Sequence, residues 1–238
     1  MKREVLRRVP SVLKVWLITS VFHFPLFVSC TQDAYEKGEG TYSLMRGDFA
    51  EVQVNGDKKL ESIITDDGDR LPLKDPKTAT WVTTSDTTYR CMLYYNKVED
   101  ERGRQVADVI SIGQVPCPSI IPLPDFEKEL KTDPVKFESL WLSKSGKYLN
   151  ISLQLMIGST DDTTAVHQLS FVADTLLVHP NSRSTLYVTL HHDQNNVPEY
   201  YSTQSYVSLL VDSIPADSVR FRINTYSGPV VKTLSLRK

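Results

Sequence analysis

The alternation of apolar and polar residues predicts β-strands along most of the chain after residue 40. Its clearest stretch, Tyr148 to Ile157, has leucine or isoleucine at every second position, with polar Asn150, Ser152 and Gln154 between them. A period of two is typical of a half-buried strand. Neither half of the chain has the period of an amphipathic helix. The pattern therefore predicts an all-β protein.

The first part of the pattern predicts a five-stranded barrel over residues 41–117. The expected strands are 42–54, 60–65, 70–73, 89–98 and 106–115. The long first strand carries Gly47 at its middle, where a bulge or bend would let it serve two sheets. A bent first strand and a longer insertion between the third and fourth strands are typical of an OB-like barrel. Another small barrel fits the same pattern.

The second part predicts an immunoglobulin-like antiparallel β-sandwich over residues 126–238. Four prolines between Pro116 and Pro124 make residues 118–125 the best candidate for a linker, because proline removes ladder donors and stiffens the chain. Seven half-buried strands at this spacing favour two packed sheets. The expected strands are 135–143, 148–157, 166–177, 186–192, 206–212, 219–225 and 230–236.

The first residues predict an export signal over residues 1–29 that ends at a lipid-attachment site, Cys30. A basic start precedes an apolar run, residues 15–28, that is shorter than the roughly 20 residues of a membrane-spanning helix. Val28-Ser29-Cys30 resembles the lipobox of bacterial lipoproteins, in which the cysteine receives a diacylglycerol and becomes the new N-terminus. Residues 30–40 would then be a tether. The alternative is an ordinary secretory signal or short anchor in which Cys30 is incidental.

The charge balance argues against a nucleic-acid partner. The chain has 27 Lys and Arg against 29 Asp and Glu, and removing the predicted signal leaves 22 against 28. A nucleic-acid surface needs clustered positive charge to displace counterions. The remaining length and the 40% hydrophobic content are sufficient for one core or two small ones.

Cys91 and Cys117 are expected to be buried and unpaired. The predicted hairpin places Cys91 opposite a residue near Ile112, and Cys117 lies roughly 16 Å further along the strand. A disulfide needs Cα atoms within about 7 Å. An oxidising envelope would permit a bridge, which stays the alternative.

Three aromatic residues of the predicted barrel are candidates for stacking on a ligand: Trp81, Tyr94 and Tyr95. OB barrels bind oligonucleotides and oligosaccharides on an open sheet face, and an acidic barrel favours a sugar or a peptide. The alternative is packing, in which one tyrosine of the pair belongs to the core and the other lies at the rim.

Neither a metal site nor a catalytic site is predicted. Neighbouring strand residues face opposite ways, so His192 would point inward and His191 into water, and a metal would need a further ligand such as His167 or His179. The acidic turn Asp66 to Asp69 lacks the glutamate of a calcium loop, since the twelfth residue is Lys77. The sequence has no G-x-S-x-G motif.

Several segments together resemble the NigD-like lipoproteins of Bacteroidetes. These segments are YEKGEGTYSLMRGDF, ITDDGDRL, TATWVTTSDTTYR, ISIGQV, DPVKFESLWLS and HHDQNNVPEYYST. The resemblance implies a lipoprotein signal, an N-terminal OB domain, a C-terminal β-sandwich and a Gram-negative envelope, and it supplies no catalytic residues or cofactor. We therefore expect a non-enzymatic protein, lipid-anchored through Cys30 in the outer membrane, that binds or assembles with an envelope partner. The alternative is a glycan-binding accessory lipoprotein.

Overall fold

The computed structural model describes Gly40 and residues 42–236, and this part of the chain consists of strands joined by turns and by two single-turn 3-10 helices, Leu123–Asp125 and Val211–Ser213. The predicted signal, Cys30 and the predicted tether up to residue 39 lie outside these residues. Residues 44–238 form one compact unit, which contains both the barrel and the sandwich.

The first five strands close into a barrel, as the sequence predicted. They are β1 (Arg46–Val54), β2 (Leu60–Thr65), β3 (Arg70–Lys77), β4 (Thr87–Glu99) and β5 (Gln105–Gln114). Their order is β1-β2-β3-β5-β4, and β1 also pairs with β4 along its whole length. Alternate residues of each strand point inward, and the core includes Ala50, Val52, Ile63, Cys91 and Leu93.

Strand β1 has no bulge at Gly47 in its pairing with β4. The pairing with β4 continues without a break from Arg46 to Val54, and the irregularity lies instead near Gln53, in the pairing with β2. A Cβ atom at Gly47 would lie 3.0 Å from Cε1 of Tyr94. The glycine therefore makes room for the Tyr94 ring on the neighbouring strand.

The remaining strands form a two-sheet sandwich, which confirms the predicted all-β class and architecture. They are β6 (Ile120–Pro122), β7 (Lys136–Leu142), β8 (Tyr148–Ile157), β9 (Gln168–Val178), β10 (Ser184–Asp193), β11 (Tyr201–Leu210), β12 (Ser218–Thr225) and β13 (Gly228–Ser235). One sheet has the order β13-β12-β10-β9-β6 and the other β11-β8-β7. Their facing sides enclose a core that includes Leu149, Ile151, Phe171, Leu190 and Phe221.

Two details of the predicted sandwich need correction. Residues 118–125, expected to be a linker, contain β6, which pairs with β9 from Ile120 to Pro122. The sandwich is also not wholly antiparallel, because β6 is parallel to β9 and β10 is parallel to β12. In both cases the chain passes through the other sheet between the two strands and so returns in the same direction.

The polar face of β8 is buried. Asn150 and Ser152 are almost inaccessible to solvent although they face away from the sandwich core. The outer face of barrel strand β4 covers this side through Arg90, which hydrogen-bonds Asn150 and Ser208 at 3.2 and 3.4 Å. The barrel and the sandwich therefore share a polar contact instead of being joined only by a linker.

Candidate functional site

Tyr95 cannot stack on a ligand, so this part of the sequence prediction is wrong. Its ring is fully buried in the barrel core and its hydroxyl donates a hydrogen bond of 2.8 Å to the Asp48 carboxylate. Burial, together with this bond, raises the pKa of Tyr95 well above its ordinary value of 10.0. The Tyr95 side chain is therefore part of the barrel core.

Tyr94 is on the opposite face of β4 and is 41% exposed. This is the face that carries Arg90 and Met92, and it is the face that packs towards the sandwich. Phe49 on the neighbouring strand makes edge-on contacts with Trp141 and Tyr206 of the sandwich, with ring centroids 5.7 and 5.1 Å apart. Tyr94 thus lies at the rim of an internal contact, with part of its ring accessible.

Trp81 lies apart from Tyr94. It packs edge-on against Tyr89, with ring centroids 5.5 Å apart, and is partly buried against the barrel core. Tyr89 precedes Tyr94 by five residues on β4, which corresponds to roughly 16 Å along a strand. The three aromatic residues singled out in the sequence therefore do not form one binding surface.

The acidic turn after β2 is tied to cations of the protein itself. Asp66 receives two hydrogen bonds of 2.7 Å from Arg90, Asp67 pairs with Lys144 at 2.8 Å, and Asp69 pairs with Lys97 at 3.0 Å. The Arg90 guanidinium also lies 4.0 Å from the ring centroid of Tyr148. The turn thus contributes to the contact between the barrel and the sandwich.

A second carboxylate on the barrel reaches the same contact. Glu51 accepts a hydrogen bond of 2.5 Å from the Tyr148 hydroxyl and pairs with Lys147. Burial opposes ionisation of Glu51, but the hydrogen bonds from Lys147 and Tyr148 prevail and lower its pKa below 4.5. The contact therefore favours the ionised carboxylate.

Cys91 and Cys117 are unpaired, as predicted. Cys91 lies opposite Gln114, inside the barrel, and burial raises the pKa of its thiol to about 12. Cys117 is exposed, contrary to the expectation that both thiols are buried.

His191 does not face water, which corrects a second sequence expectation. Its ring is buried against Phe126, with centroids 4.9 Å apart, and its Nδ1 accepts a hydrogen bond of 3.1 Å from the Lys131 backbone. His192 points inward as predicted and contacts His167. Within the described residues, no group of three or more metal-ligand side chains is close enough to hold an ion.

Strand β9 has a free edge over the last part of its length. Strand β6 pairs with β9 only as far as Ala173, and the structure describes no strand that continues this pairing from Asp174 to Val178. Leu176, Leu177 and Val178 follow one another here and are 46%, 42% and 65% exposed. An edge of this kind offers unpaired backbone groups and apolar side chains together.

A groove adjoins this edge. It has a volume of about 420 Å³. Its walls come from β6 and the turn after it, from β9 and β10, and from the segment after β11, and its lining includes Ile120, Pro122, Pro124, Leu176, Leu186 and Pro215. One local signal in the sequence points to this surface, namely the run of three apolar residues that breaks the alternation at the end of β9.

A groove that contains the side chains of Asp174 and Arg222 crosses the outer face of the five-stranded sheet. Two adjoining cavities of about 540 and 390 Å³ share Asp174, Arg222 and Pro229. The Arg220 guanidinium lies 5.6 Å from the Tyr187 ring centroid. Sequence reasoning missed this surface because its residues come from strands that are distant along the chain.

Cys30 lies outside the described residues, so its predicted lipidation stays a prediction. Across the part of the chain that is described, no helix has the length and apolar character needed to cross a membrane.

Comparison with solved structures shows that the whole architecture recurs. A NigD-like immunity protein from Bacteroides caccae has a TM-score of 0.61 and 23% identity, over 79% of this chain and 91% of that chain. A protein of unknown function from Bacteroides vulgatus has a TM-score of 0.59 and 16% identity, over 80% and 90% of the two chains. A protein described as a candidate lipoprotein from Bacteroides fragilis has a TM-score of 0.55 and 10% identity, over 80% and 96%. Identities this low show a common fold alone.

The sequence comparisons identify the family through the sandwich. No curated protein matches the chain. The family model described as the NigD-like C-terminal beta sandwich domain matches residues 119–236, which span β6 to β13 and include the segment first expected to be a linker. Residues 119–236 of this chain therefore belong to the family of NigD-like C-terminal beta sandwich domains.

Proposed function

We propose that this protein is a lipid-anchored, non-enzymatic binding protein of the bacterial cell envelope, and that it docks a partner protein along the free edge of β9. Two similar structures are described as an immunity protein and as a candidate lipoprotein. Carried over to this chain, these descriptions favour a protein partner and an envelope location. The lipobox-like sequence that ends at Cys30 supports the anchor.

The free edge from Asp174 to Val178 is the observation that carries the proposal. Strand β6 pairs with the same edge of β9 at Phe171 to Ala173. A strand added by a partner would therefore lie beside β9 along residues 174–178, directly after β6. Strand addition gains affinity from backbone hydrogen bonds and specificity from pockets for alternate side chains. The exposed Leu176, Leu177 and Val178 and the proline-lined groove favour an extended apolar segment of the partner.

Site-specific photo-crosslinking in intact cells tests the docking edge. A photoreactive residue in place of Val178 is expected to give one discrete crosslinked protein, because Val178 is 65% exposed on the edge. The same residue in place of Tyr226, which is 52% exposed in the turn between β12 and β13, is the matched control. Leu176→Lys in the Val178-labelled chain should abolish the product. Equal crosslinking from both positions, or none from either, would contradict docking at β9.

The anchor has its own test. Radiolabelled palmitate should mark the wild-type chain, and Cys30→Ala should lose both the label and the retention in envelope fractions. An unlabelled wild-type chain whose Cys30→Ala variant still partitions with the envelope would remove the lipid anchor from the proposal. The outer membrane is the expected location, and membrane fractionation tests it separately.

Glycan binding is the second candidate, supported by the groove on the outer face of the five-stranded sheet, which contains Arg220, Arg222 and Tyr187. Grooves in which an aromatic ring lies beside hydrogen-bonding side chains suit small polar ligands. Titration with envelope and dietary glycans, repeated with Arg222→Ala and Tyr94→Ala, distinguishes this groove from the barrel rim. If no glycan binds the wild-type chain, this candidate is removed.

A further inference from the structure

Two histidines at one end of the sandwich face each other through their rings. Nδ1 of His167, just before β9, lies 2.9 Å from Nε2 of His192 on β10. The remaining nitrogen of each ring lies 2.9 Å from a backbone carbonyl, that of Met156 for His167 and that of Asp133 for His192. The four ring nitrogens thus take part in three close contacts of hydrogen-bond length.

These contacts require one more proton than two neutral imidazoles possess. A carbonyl oxygen only accepts, so both outer nitrogens must carry hydrogen, and a neutral imidazole carries a single N–H. The two facing nitrogens would then present lone pairs to each other at 2.9 Å. A third proton converts this repulsive contact into an N–H···N hydrogen bond. The arrangement is therefore satisfied when one ring is an imidazolium.

Burial decides which ring carries the charge. Burial is the largest influence on His192 and lowers its pKa, although the hydrogen bond to Asp133 acts in the opposite direction. His167 is only half-buried, so charging it costs less solvation. His192 is then neutral, donating from Nδ1 and accepting at Nε2, while His167 donates from both nitrogens.

We propose that His167 is an imidazolium in the folded protein and that its proton holds the loop of residues 158–166 against the end of the sandwich. This loop joins β8 to β9, and Asn195 also holds it by donating hydrogen bonds of 2.7 and 3.3 Å to the carbonyls of Thr164 and Val166. Deprotonation restores the lone-pair repulsion and weakens the attachment. This inference is independent of the proposed function.

The surrounding charges are consistent with one positive charge on the pair. The other titratable groups on the elements packed around it lie on β10 (Tyr187, His191 and Asp193), on the segment before β7 (Glu127, Lys128, Glu129, Lys131 and Asp133), on the loop (Asp161 and Asp162) and on the segment before β11 (Glu199). Asp133 and Asp193 favour the charged form of His192, whereas His167 disfavours it, so the pair carries a single positive charge. Lys128 donates to Gln168, the residue after His167, at 2.7 Å. Lys131 pairs with Asp193 at 3.0 Å, and Asp162 accepts hydrogen bonds from the backbone and hydroxyl of Thr164.

The sign of the pH dependence follows from the proton count. A histidine whose charged form is hydrogen-bonded only in the closed loop favours closure at low pH and loses this contribution as the pH rises through its pKa. For one proton, the closing equilibrium should weaken by at most about tenfold per pH unit, and only over the pH range in which the closed loop keeps the proton and the open loop has lost it. Backbone hydrogen exchange of residues 158–166 in the full chain, corrected for intrinsic rates, measures this change.

Nitrogen NMR of the wild-type rings gives a readout that does not depend on a variant. We expect an imidazolium spectrum for His167 in the folded chain on the acid side of the transition, and a neutral ring with a hydrogen on Nδ1 for His192 on both sides. The loop protection should follow the His167 titration.

His167→Asn supplies an amide N–H that can donate to His192 without titrating, so loop protection in this variant should no longer depend on pH. His179→Asn is the control, because His179 lies in the turn between β9 and β10, where its Nε2 is 2.8 Å from Oγ1 of Thr185. It should leave the wild-type pH dependence unchanged. A neutral His167 throughout the range in which the chain is folded, or loop protection that does not vary with pH, overturns the proposal.

Discussion

Arg90 and Asp66 form a bidentate ion pair at the contact between the barrel and the sandwich. Both hydrogen bonds are 2.7 Å long, and the Arg90 side chain is almost completely buried. Asn150 completes the group, accepting from Arg90 at 3.2 Å. A barrel strand, a barrel turn and a sandwich strand thus meet at one guanidinium.

Arg90→Ala should lower the free energy of unfolding by about 3–5 kcal/mol, because it removes the only cation that pairs with the Asp66 carboxylate within the described residues and leaves Asn150 with Ser208 and Asp66 as its partners in a largely dry contact. Denaturant unfolding followed by fluorescence measures the change. Arg104→Ala is the matched control, since Arg104 pairs with Asp100 in an exposed hairpin turn and should leave stability almost unchanged. Equal losses in the two variants would contradict a special role for Arg90.

Glu51 should make the protein lose stability in acid. Its folded-state pKa is lowered below 4.5, since hydrogen bonds from Lys147 and Tyr148 outweigh the opposing effect of burial. The ionised carboxylate therefore stabilises the folded chain above pH 4.5, and this contribution disappears as the pH falls through the folded-state pKa. Glu51→Gln should flatten the decline in unfolding free energy on the acid side, whereas Glu101→Gln, in an exposed turn, should not. If the unfolding free energy of Glu51→Gln declines in acid as steeply as that of the wild type, Glu51 is not the group responsible.

Tyr89 should ionise earlier than the other tyrosines. Its hydroxyl interacts with the Thr83 hydroxyl and accepts hydrogen bonds from the backbone of Thr83 and Thr84, which lowers its pKa to about 8. Phenolate absorbance during a pH titration should show one early step, and Tyr89→Phe should remove it. A titration without a tyrosine step near pH 8 would refute the predicted hydrogen bonding of Tyr89.

The two thiols should differ in reactivity. Burial raises the pKa of both thiols, that of Cys91 to about 12, but Cys91 is enclosed in the barrel whereas Cys117 is exposed to a reagent. Maleimide treatment of the native chain, followed by peptide mass spectrometry, should modify Cys117 rapidly and Cys91 only after denaturation. Cys117→Ser provides the control for peptide assignment. Rapid native labelling of Cys91 would show that the barrel opens readily.

The local pattern of apolar and polar residues was sufficient to predict the strands, because burial of one face of a sheet leaves a period of two in the sequence. The expected strand 60–65 matches β2 in full, and the expected strand at Tyr148 to Ile157 matches β8 in full. The NigD-like resemblance, drawn from segments spread along the chain, is confirmed for the sandwich. The exposed run at the end of β9 was visible as a break in alternation, but a sequence does not reveal which strand edges stay unpaired.

What the chain determined by itself is which residues lie in strands and which face of each is apolar, because these follow from neighbours two positions apart. The tertiary structure decided what covers the polar faces. Asn150 has the sequence environment of a solvent-facing residue, yet it is buried by Arg90, 60 positions earlier in the chain. Tyr94 and Tyr95 likewise take their different roles from strand facing, and the contact of His167 with His192 depends on how a loop closes over a sheet end. Such pairings join residues far apart in sequence, and no local pattern records them.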